Sequence, residues 1–311
     1  MVKNIAASVN ARLRNLAKTS GADTMTLQRR YAQERLLYRL TQTRWGESLV
    51  LKGAMIFVMY YGDTHRPTAD IDLSGHDANG NVDTLEQMIR DAIAVECDDG
   101  VTFDDETLDI RYERDGAVAG GKITLTARID TSRIVVRVDA GFGNPITPIP
   151  LTGVYPAMLE DMPKPTVQVY PLETMIAEKL HAMSRLGAES SRIRDYYDLW
   201  ALQETRHFNG QLIAEAIQKT FAIFGQVPPK PELDGLSDRF VNMWTKEWDK
   251  FCKQKGLAFS PPHLGETVQK IGNFLTPILE YLDSGAAPGV WNPDTKSWSD
   301  LAPTIESSLS M

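Results

Sequence analysis

Two aspartates separated by one apolar residue constrain the fold of this 311-residue chain more than any other feature of its sequence. In the segment 70–73 (Asp-Ile-Asp-Leu), charged and apolar side chains alternate with a period of two, which is typical of a half-buried strand. Both carboxylates then point to the same face, with their Cα atoms about 6.6 Å apart. Two ionised carboxylates about 5 Å apart repel by roughly 3 kcal/mol at an effective dielectric constant near 20, so something must offset this repulsion.

Two explanations are open for Asp70 and Asp72. The simpler one is that the strand faces water, or that an arginine such as Arg66 or Arg137 neutralises the pair, and we favour it for a short motif considered alone. The other is a divalent cation, because Mg²⁺ (or Mn²⁺) is commonly held by one or two carboxylates together with substrate phosphates.

A third carboxylate favours the cation. Asp139 ends the expected strand 133–138, whose alternation places Asp139 on one face with Arg133 and Arg137, opposite an apolar face. If this strand neighbours the first one, Asp70, Asp72 and Asp139 form a cluster suited to two metal ions that clamp a nucleotide. The alternative for Asp139 is a salt bridge to a nearby arginine.

The turn Lys52-Gly53-Ala54 lies between a short expected strand (48–51) and an expected helix (54–61). A turn of small residues presents backbone N–H groups at a helix N-terminus, where a triphosphate can bind. Taken alone the signal is weak, because most such glycines are merely turn residues.

The second half of the chain offers further charged candidates. Lys179 lies on the same side of an expected helix as Leu172 and Met175, where a lysine usually extends its amine to water. The alternative is a partly desolvated lysine that faces a triphosphate. Asp195 and Asp198 are neighbours on the next expected helix. They are either ion-pair partners of Arg192 and Arg194 or functional groups.

Composition and patterning set the class of protein. The net charge of −8 argues against a surface that wraps nucleic acid, although it allows a local basic groove. Three clusters could supply one: Arg111/Arg114, Arg128/Arg133/Arg137 and Arg185/Arg192/Arg194. Two distant cysteines are expected to be free thiols of a reducing compartment. The N-terminus lacks the apolar run of a signal peptide, and the longest apolar run (54–61) is too short to span a bilayer, so we expect a cytoplasmic protein without membrane contact.

Periodicity predicts the order of the main elements. Helices are expected over 4–19, 25–44, 83–95, 171–186 and 192–203, and strands over 48–51, 70–73, 108–114, 122–129 and 133–138. A proline-rich connector (145–171) leads to a second half that is nearly all helical, and the tail from Ser284 is expected to be irregular.

Six segments in this order resemble the AbiEii/AbiGii-type nucleotidyltransferase toxins of bacterial type IV toxin–antitoxin and phage-defence systems. They are ERLLYRL, LVLKGAMIF, RPTADIDL, VDAGFG, YPLETMIAEKLHAM and SRIRDYYDLW, from about Tyr31 to about Phe224. The resemblance implies an α+β fold: a polymerase-β-like nucleotidyltransferase domain with a mixed sheet, then a helical C-terminal domain, with the active site between them. We therefore expect a nucleotidyltransferase core with a helical N-terminus over 1–165, a helical domain over 166–290 and an irregular tail over 291–311.

The resemblance also implies roles for individual residues. The turn at Gly53 would hold the nucleotide phosphates, and the carboxylates would hold the metal. Lys179 would contact the nucleotide, and the two aspartates of the following helix belong to the fourth motif of the family. The phosphate-binding turn is Lys52, Gly53 and Ala54, and the metal carboxylates are Asp70 and Asp72, flanked by Arg66 and Thr68. The nucleotide contact is Lys179, and the two aspartates of the fourth motif are Asp195 and Asp198.

Two departures from the common pattern affect these roles. Many nucleotidyltransferases have Gly-Gly or Gly-Ser at the turn, whereas this chain has Gly53-Ala54 and lacks a hydroxyl there. The spacing from the turn to Asp70 is also longer than usual. Both leave the metal carboxylates in place and put nucleotide preference and rate in question.

The expected function is therefore Mg²⁺-dependent transfer of a nucleotide from an NTP to an acceptor, the 3′ end of tRNA, in a system that includes an antitoxin protein. Two alternatives stay open. One is nucleotidylation of a small molecule or a protein, and the other is a degenerate, non-catalytic nucleotide-binding protein.

Overall fold

The computed structural model describes residues 4–62, 66–75, 84–115, 118–284 and 288–299. The chain divides into two compact units. The first comprises residues 1–144 and 150–170, and the second comprises residues 145–149 and 171–311. The expected three-part division at residues 165 and 290 stays a prediction.

The first unit combines four α-helices with seven strands in its described part. The helices are α1 (Ile5–Ser20), α2 (Thr24–Thr41), α3 (Phe57–Tyr61) and α4 (Thr84–Ile93), and a 3-10 turn (Gly53–Ile56) precedes α3. The strands are β1 (Leu49–Lys52), β2 (Asp70–Gly75), β3 (Val101–Asp115), β4 (Val118–Ile129), β5 (Ser132–Phe142), β6 (Leu151–Val154) and β7 (Thr166–Val169).

The seven strands form one mixed sheet in the order β3-β4-β5-β2-β1-β7-β6. The β2–β5 and β1–β7 pairs are parallel, and the other neighbours are antiparallel. Alternate residues of β2, β4 and β5 are apolar and buried, and α2 packs against β5 while α1 packs against β4. Since side chains alternate across a strand, the polar residues between them lie on the opposite face, which carries the candidate site.

The second unit is mainly helical. Its helices are α5 (Leu172–Leu186), α6 (Ile193–Thr205), α7 (Gly210–Ile223), α8 (Asp238–Cys252) and α9 (Leu264–Ser284). A small three-stranded sheet, in the order β10-β9-β8, is formed by β8 (Phe208–Asn209), β9 (Val290–Asn292) and β10 (Ser297–Trp298). Trp291 of β9 is buried against Phe274 of α9, with ring centroids 5.0 Å apart. The expected α+β class with a helical C-terminal part is confirmed.

Several sequence expectations are wrong. The connector 145–171 contains two strands, β6 and β7, that complete the sheet. The tail is ordered over 290–292 and 297–298, because buried Trp291 pairs it with β8. Strand β3 begins at Val101 rather than at residue 108, since a bulge between Asp104 and Asp109 interrupts its alternation. The expected helix start at Asp83 and the tail beyond residue 299 lie outside the described residues.

None of the helices in the described ranges combines the length and apolarity needed to cross a bilayer.

Candidate active site

One row of charged residues crosses four neighbouring strands of the sheet. Lys52 on β1 is the register partner of Asp72 on β2, Asp72 is the partner of Asp139 on β5, and Asp139 is the partner of Lys122 on β4. Register partners present their side chains to the same face, so these four groups lie side by side. The order of charges along the row is plus, minus, minus, plus.

Asp70 lies on the same face, two residues before Asp72, and its register partner on β5 is Arg137. The two acidic strands are neighbours, which is the condition that the sequence left open, and their pairing brings Asp70, Asp72 and Asp139 together. All three carboxylates are partly buried. A partly buried group of three like charges cannot be explained by a strand that simply faces water.

The burial and crowding of these carboxylates shift their pKa values. Burial raises the pKa of Asp72 to about 6; Lys52 opposes the shift, and the neighbouring charges of Asp139 and Asp70 add to it. Burial also raises the pKa of Asp139, against the opposing effects of Lys52 and Lys122. The cations that act on Asp139 are thus lysines, whereas the alternative left open by the sequence was a salt bridge to an arginine.

Gly53 brings the turn after β1 against Asp72. Its backbone has φ = +68°, and a Cβ atom at this position would lie 1.8 Å from Oδ2 of Asp72. The predicted strand-to-helix turn is present, because β1 ends at Lys52 and the 3-10 turn begins at Gly53. Glycine is needed here both for the left-handed backbone and for the close approach to the carboxylate.

The strand start is held by neutral hydrogen bonds. Gln33 of α2 donates its side-chain amide to the carbonyl of Ala69 at 2.8 Å, and the Thr68 hydroxyl donates to the carbonyl of Asp70 at 3.4 Å. Arg66 also lowers the pKa of Asp72, by less than Lys52 does. Of these groups, Gln33 was missed from the sequence, since its helical pattern gives no sign of a contact 36 residues away.

The oxygen donors of this face suit a hard divalent cation. Oδ1 of Asp70 is buried without a hydrogen-bond partner, a costly state for a carboxylate oxygen that a cation would relieve. Among the described residues, no three or more His, Cys, Asp or Glu side chains already form a metal site. Mg²⁺ commonly takes only one or two carboxylates and completes its shell with water and phosphate, so Asp70 and Asp72 fit it. Asp139 as a further ligand stays a prediction.

Lys179 of the second unit is buried between two carboxylates. Its ammonium group donates to Oδ1 of Asp195 at 2.6 Å and to Oδ2 of Asp198 at 2.8 Å. Arg192 donates to the other oxygen of Asp195 at 2.6 Å. Burial would raise the pKa of Asp195, but Lys179 and Arg192 outweigh it and hold the pKa below its usual value.

Of the two interpretations of this part of the sequence, ion pairing is confirmed in part, and the functional one stays a prediction. The Arg192–Asp195 ion pair is present, as one of them required. Lys179 does not extend to water, and its desolvated amine meets the aspartates of the next helix. This pairing could not be predicted from the sequence, because it depends on how α5 packs against α6. A nucleotide-binding role for Lys179 stays a prediction.

The strand faces show which arginines of the expected basic clusters lie together. Arg111 and Arg114 lie on opposite faces of β3, so they do not form a cluster. Arg192 is paired with Asp195. Arg128, Arg133 and Arg137 do share a face, because Arg128 is the register partner of Arg133. The missed residue Lys122 joins this face and pairs with Glu113 at 2.7 Å.

Comparison with known proteins gives three findings. A sequence model of the family described as nucleotidyl transferase AbiEii toxin, type IV toxin–antitoxin system, matches residues 35–270. Two solved structures from Helicobacter pylori are similar, each with a TM-score of 0.49 and covering 84% of this chain: a protein provisionally assigned as a nucleotidyltransferase (18% identity, 97% of that chain) and JHP933 (17% identity, 94% of that chain). No curated protein matches the chain. The family match includes both the carboxylate row and Lys179.

Proposed function

Because the chain belongs to the AbiEii family of nucleotidyltransferase toxins from type IV toxin–antitoxin systems, we propose that it transfers a nucleotide from an NTP to the 3′ end of tRNA in a reaction that requires Mg²⁺ or Mn²⁺. The observation that carries this proposal is the row in which Asp72 lies between Asp139 and Lys52, with Asp70 beside it. Such a row concentrates negative charge at one point of a sheet face, where a cation and a triphosphate can be held together.

The cation would be held by Asp70 and Asp72, with Asp139 as a further ligand. When bound, it would supply positive charge to the phosphate oxygens of the nucleotide. The unpartnered oxygen of Asp70 and the raised pKa of Asp72 support this assignment, because each reflects negative charge that the protein alone leaves incompletely compensated.

The residues of the chain would act on the nucleotide and on the acceptor. The backbone at Gly53 and Ala54, together with Lys52 and Arg66, would bind the phosphates. Asp139, whose pKa is raised by burial, would accept the proton of the acceptor hydroxyl. The hydroxyl oxygen of the acceptor would then bond to the α-phosphorus as pyrophosphate leaves. Thr68 would keep Asp70 in place through the hydrogen bond to its carbonyl.

In the second unit, Lys179 would contact the nucleotide, and Asp195 and Asp198 would orient its ammonium group. Two carboxylates at 2.6 and 2.8 Å fix the direction of this otherwise flexible side chain. A fixed cation stabilises developing negative charge without reorganising during the reaction.

The test is a transfer assay with the purified full-length protein. Each labelled NTP is incubated in turn with Mg²⁺ and total cellular RNA, and the reaction is repeated with Asp70→Asn and with the control variant Asp98→Asn, whose carboxylate is exposed. We expect label in tRNA-sized RNA with the wild type and the control, and none with Asp70→Asn. Label on protein or on a small molecule would move the acceptor to that class. No transfer with any NTP would reject the enzymatic proposal.

The biological setting proposed for this activity is growth arrest in the bacterial cytoplasm, including arrest during phage infection. We expect expression of the wild type to slow growth and Asp70→Asn to relieve the effect. Co-expression of the protein encoded by the neighbouring gene is expected to restore growth, as for an antitoxin. Equal toxicity of both variants would contradict this setting.

A further inference from the structure

The exposed face of β5 carries a line of side chains that ends at the candidate active site. Arg133, Val135, Arg137 and Asp139 occupy alternate positions, so all four point to the same face. The first three are exposed, and Asp139 is partly buried. At about 3.3 Å per residue, Arg137 lies about 6.6 Å and Arg133 about 20 Å before Asp139 along the strand.

Most other cations near this line already form ion pairs with carboxylates. Lys122 pairs with Glu113 at 2.7 Å, Arg111 with Asp109 at 3.4 Å, and Arg128 with Asp104 at 3.3 Å. Within the ranges that the structure describes, Arg133 and Arg137 have no carboxylate within ion-pair distance. Arg137 is the register partner of Asp70, yet Oδ1 of Asp70 has no hydrogen-bond partner. The guanidinium groups of the two arginines on β5 are therefore available to bind an anion.

Two further observations describe the surroundings of Arg133. Its register partner on β4 is Arg128, whose guanidinium group is already paired with Asp104 at 3.3 Å. Val135 between the two arginines is 43% exposed. A chain of net charge −8 thus keeps two unneutralised arginines and an apolar side chain in line with its acidic row.

We propose that the face of β5 is the binding track for the single-stranded 3′ end of the acceptor RNA, with backbone phosphates on Arg137 and Arg133 and the terminal hydroxyl at Asp139. The inference rests on the proposed transfer to RNA and adds the path and polarity of the acceptor. Arginine suits this role because its guanidinium group matches phosphate geometry and stays charged. Val135 offers an apolar contact for a base between the two phosphate positions.

The track is tested by RNA binding in the absence of NTP. The probe is a fluorescent single-stranded RNA of about a dozen nucleotides, titrated with full-length protein over a range of salt concentrations and followed by anisotropy. The variants are Arg133→Gln, Arg137→Gln and the double variant. Arg114→Gln is the matched control, an exposed arginine on the opposite face of β3.

We expect the double variant to bind about tenfold or more weakly at moderate salt, with a salt slope smaller by about 0.7 for each lost phosphate contact. Arg114→Gln should bind as the wild type does. Equal affinities for wild type and double variant would overturn the proposal, as would the absence of any RNA binding. So would competition by poly-glutamate as strong as competition by unlabelled RNA, which would point to an acidic protein as the partner.

Measurements of RNA binding and of nucleotide transfer distinguish this inference from the proposed function. If the wild type binds RNA through the two arginines but transfers no nucleotide, the track stands and the activity is rejected. If the wild type transfers nucleotide to RNA and the double variant does so with an unchanged KM for RNA, the activity stands and the track is rejected.

Discussion

At the residue scale, Gly53 is required for two separable reasons. Its φ of +68° disfavours any other residue, and its missing side chain leaves room for the carboxylate of Asp72. We predict that Gly53→Ala costs about 1 kcal/mol of stability through the backbone and displaces Asp72. A displacement of about 1 Å in a catalytic group can cost a hundredfold, so we expect transfer to fall by about that factor or more. The measurement is the transfer rate beside the free energy of unfolding.

Gly62 provides the matched control for this substitution. Its φ is +77°, but nothing lies within 4 Å of the position of its Cβ. Gly62→Ala should lose similar stability and retain activity. Equal activity losses in the two variants would show that the backbone, rather than the approach to Asp72, limits the reaction.

The raised pKa of Asp72 predicts how stability depends on pH. In the folded protein its pKa is about 6, whereas the ordinary value is 3.8. The folded state therefore binds its proton more tightly, and stability falls as pH rises through the window from about 4 to 6. Above that window the cost is about 3 kcal/mol. We predict that metal-free Asp72→Asn is more stable than the wild type at pH 7.5 and about equally stable at pH 4.

Thermal unfolding at a series of pH values checks this prediction. Asp98→Asn, which changes an exposed carboxylate, should follow the wild type at every pH. An Asp72→Asn variant that is less stable than the wild type at pH 7.5 would show that the negative charge of Asp72 stabilises the fold. Addition of Mg²⁺ should narrow the difference at pH 7.5, because the ion favours the charged form.

At the scale of elements, the contact between α5 and α6 depends on Lys179. Removing one partner from a buried ion pair commonly costs about 3–5 kcal/mol, because a charge remains without compensation. We predict a loss of this size for Lys179→Met, which leaves Asp195 and Asp198 without the lysine. The exposed pair Lys219–Glu215, at the comparable distance of 2.7 Å, is the control, and Lys219→Met should cost about 0.5 kcal/mol or less. Chemical denaturation of the full chain measures both.

A second variant distinguishes charge from packing in this contact. Lys179→Met combined with Asp198→Asn should recover part of the lost stability, since one of the uncompensated charges is removed. If the double variant is instead less stable than Lys179→Met, the loss would come from the packing of the methionine side chain rather than from the uncompensated charge.

The elements also show which parts of the fold the sequence could predict. The alternation in 70–73 and 133–139 was sufficient to place three carboxylates on matching faces, because side-chain direction is a local property of a strand. Helices α1, α2, α4, α5 and α6 were predicted to within a few residues from their apolar periodicity, whereas α7, α8 and α9 were predicted only as part of a mainly helical second half. Strands β6 and β7 have four residues each and were missed, since so short a segment carries little periodicity.

The missing parts of the site have a common physical cause. Lys122 and Glu113 join the carboxylate face through the pairing of β4 with β5 and β3, and register is set by the whole sheet. Lys179 meets Asp198 through helix packing across 19 residues. Such partners depend on tertiary structure, so a single sequence predicts the charged residues but not which of them meet.

At the scale of the whole molecule, the two compact units carry different kinds of charge cluster. The acidic row of the first unit is incompletely compensated, and its Asp70 has an unpartnered oxygen. In the second unit, Lys179 and Arg192 balance Asp195 and Asp198 in charge. A divalent cation should therefore bind and stabilise the first unit.

Hydrogen exchange with mass spectrometry can locate this effect in the full chain. At a Mg²⁺ concentration about a hundredfold above its dissociation constant, binding adds about 2.7 kcal/mol to the stability of whatever unfolds with the site. We predict slower exchange in β1, β2 and β5, and unchanged exchange in α7, α8 and α9. Asp70→Asn should lose the Mg²⁺ effect, whereas Asp98→Asn should keep it. Equal protection of both units, or protection that survives Asp70→Asn, would place the cation elsewhere, because only a ligand held by the acidic row depends on that carboxylate.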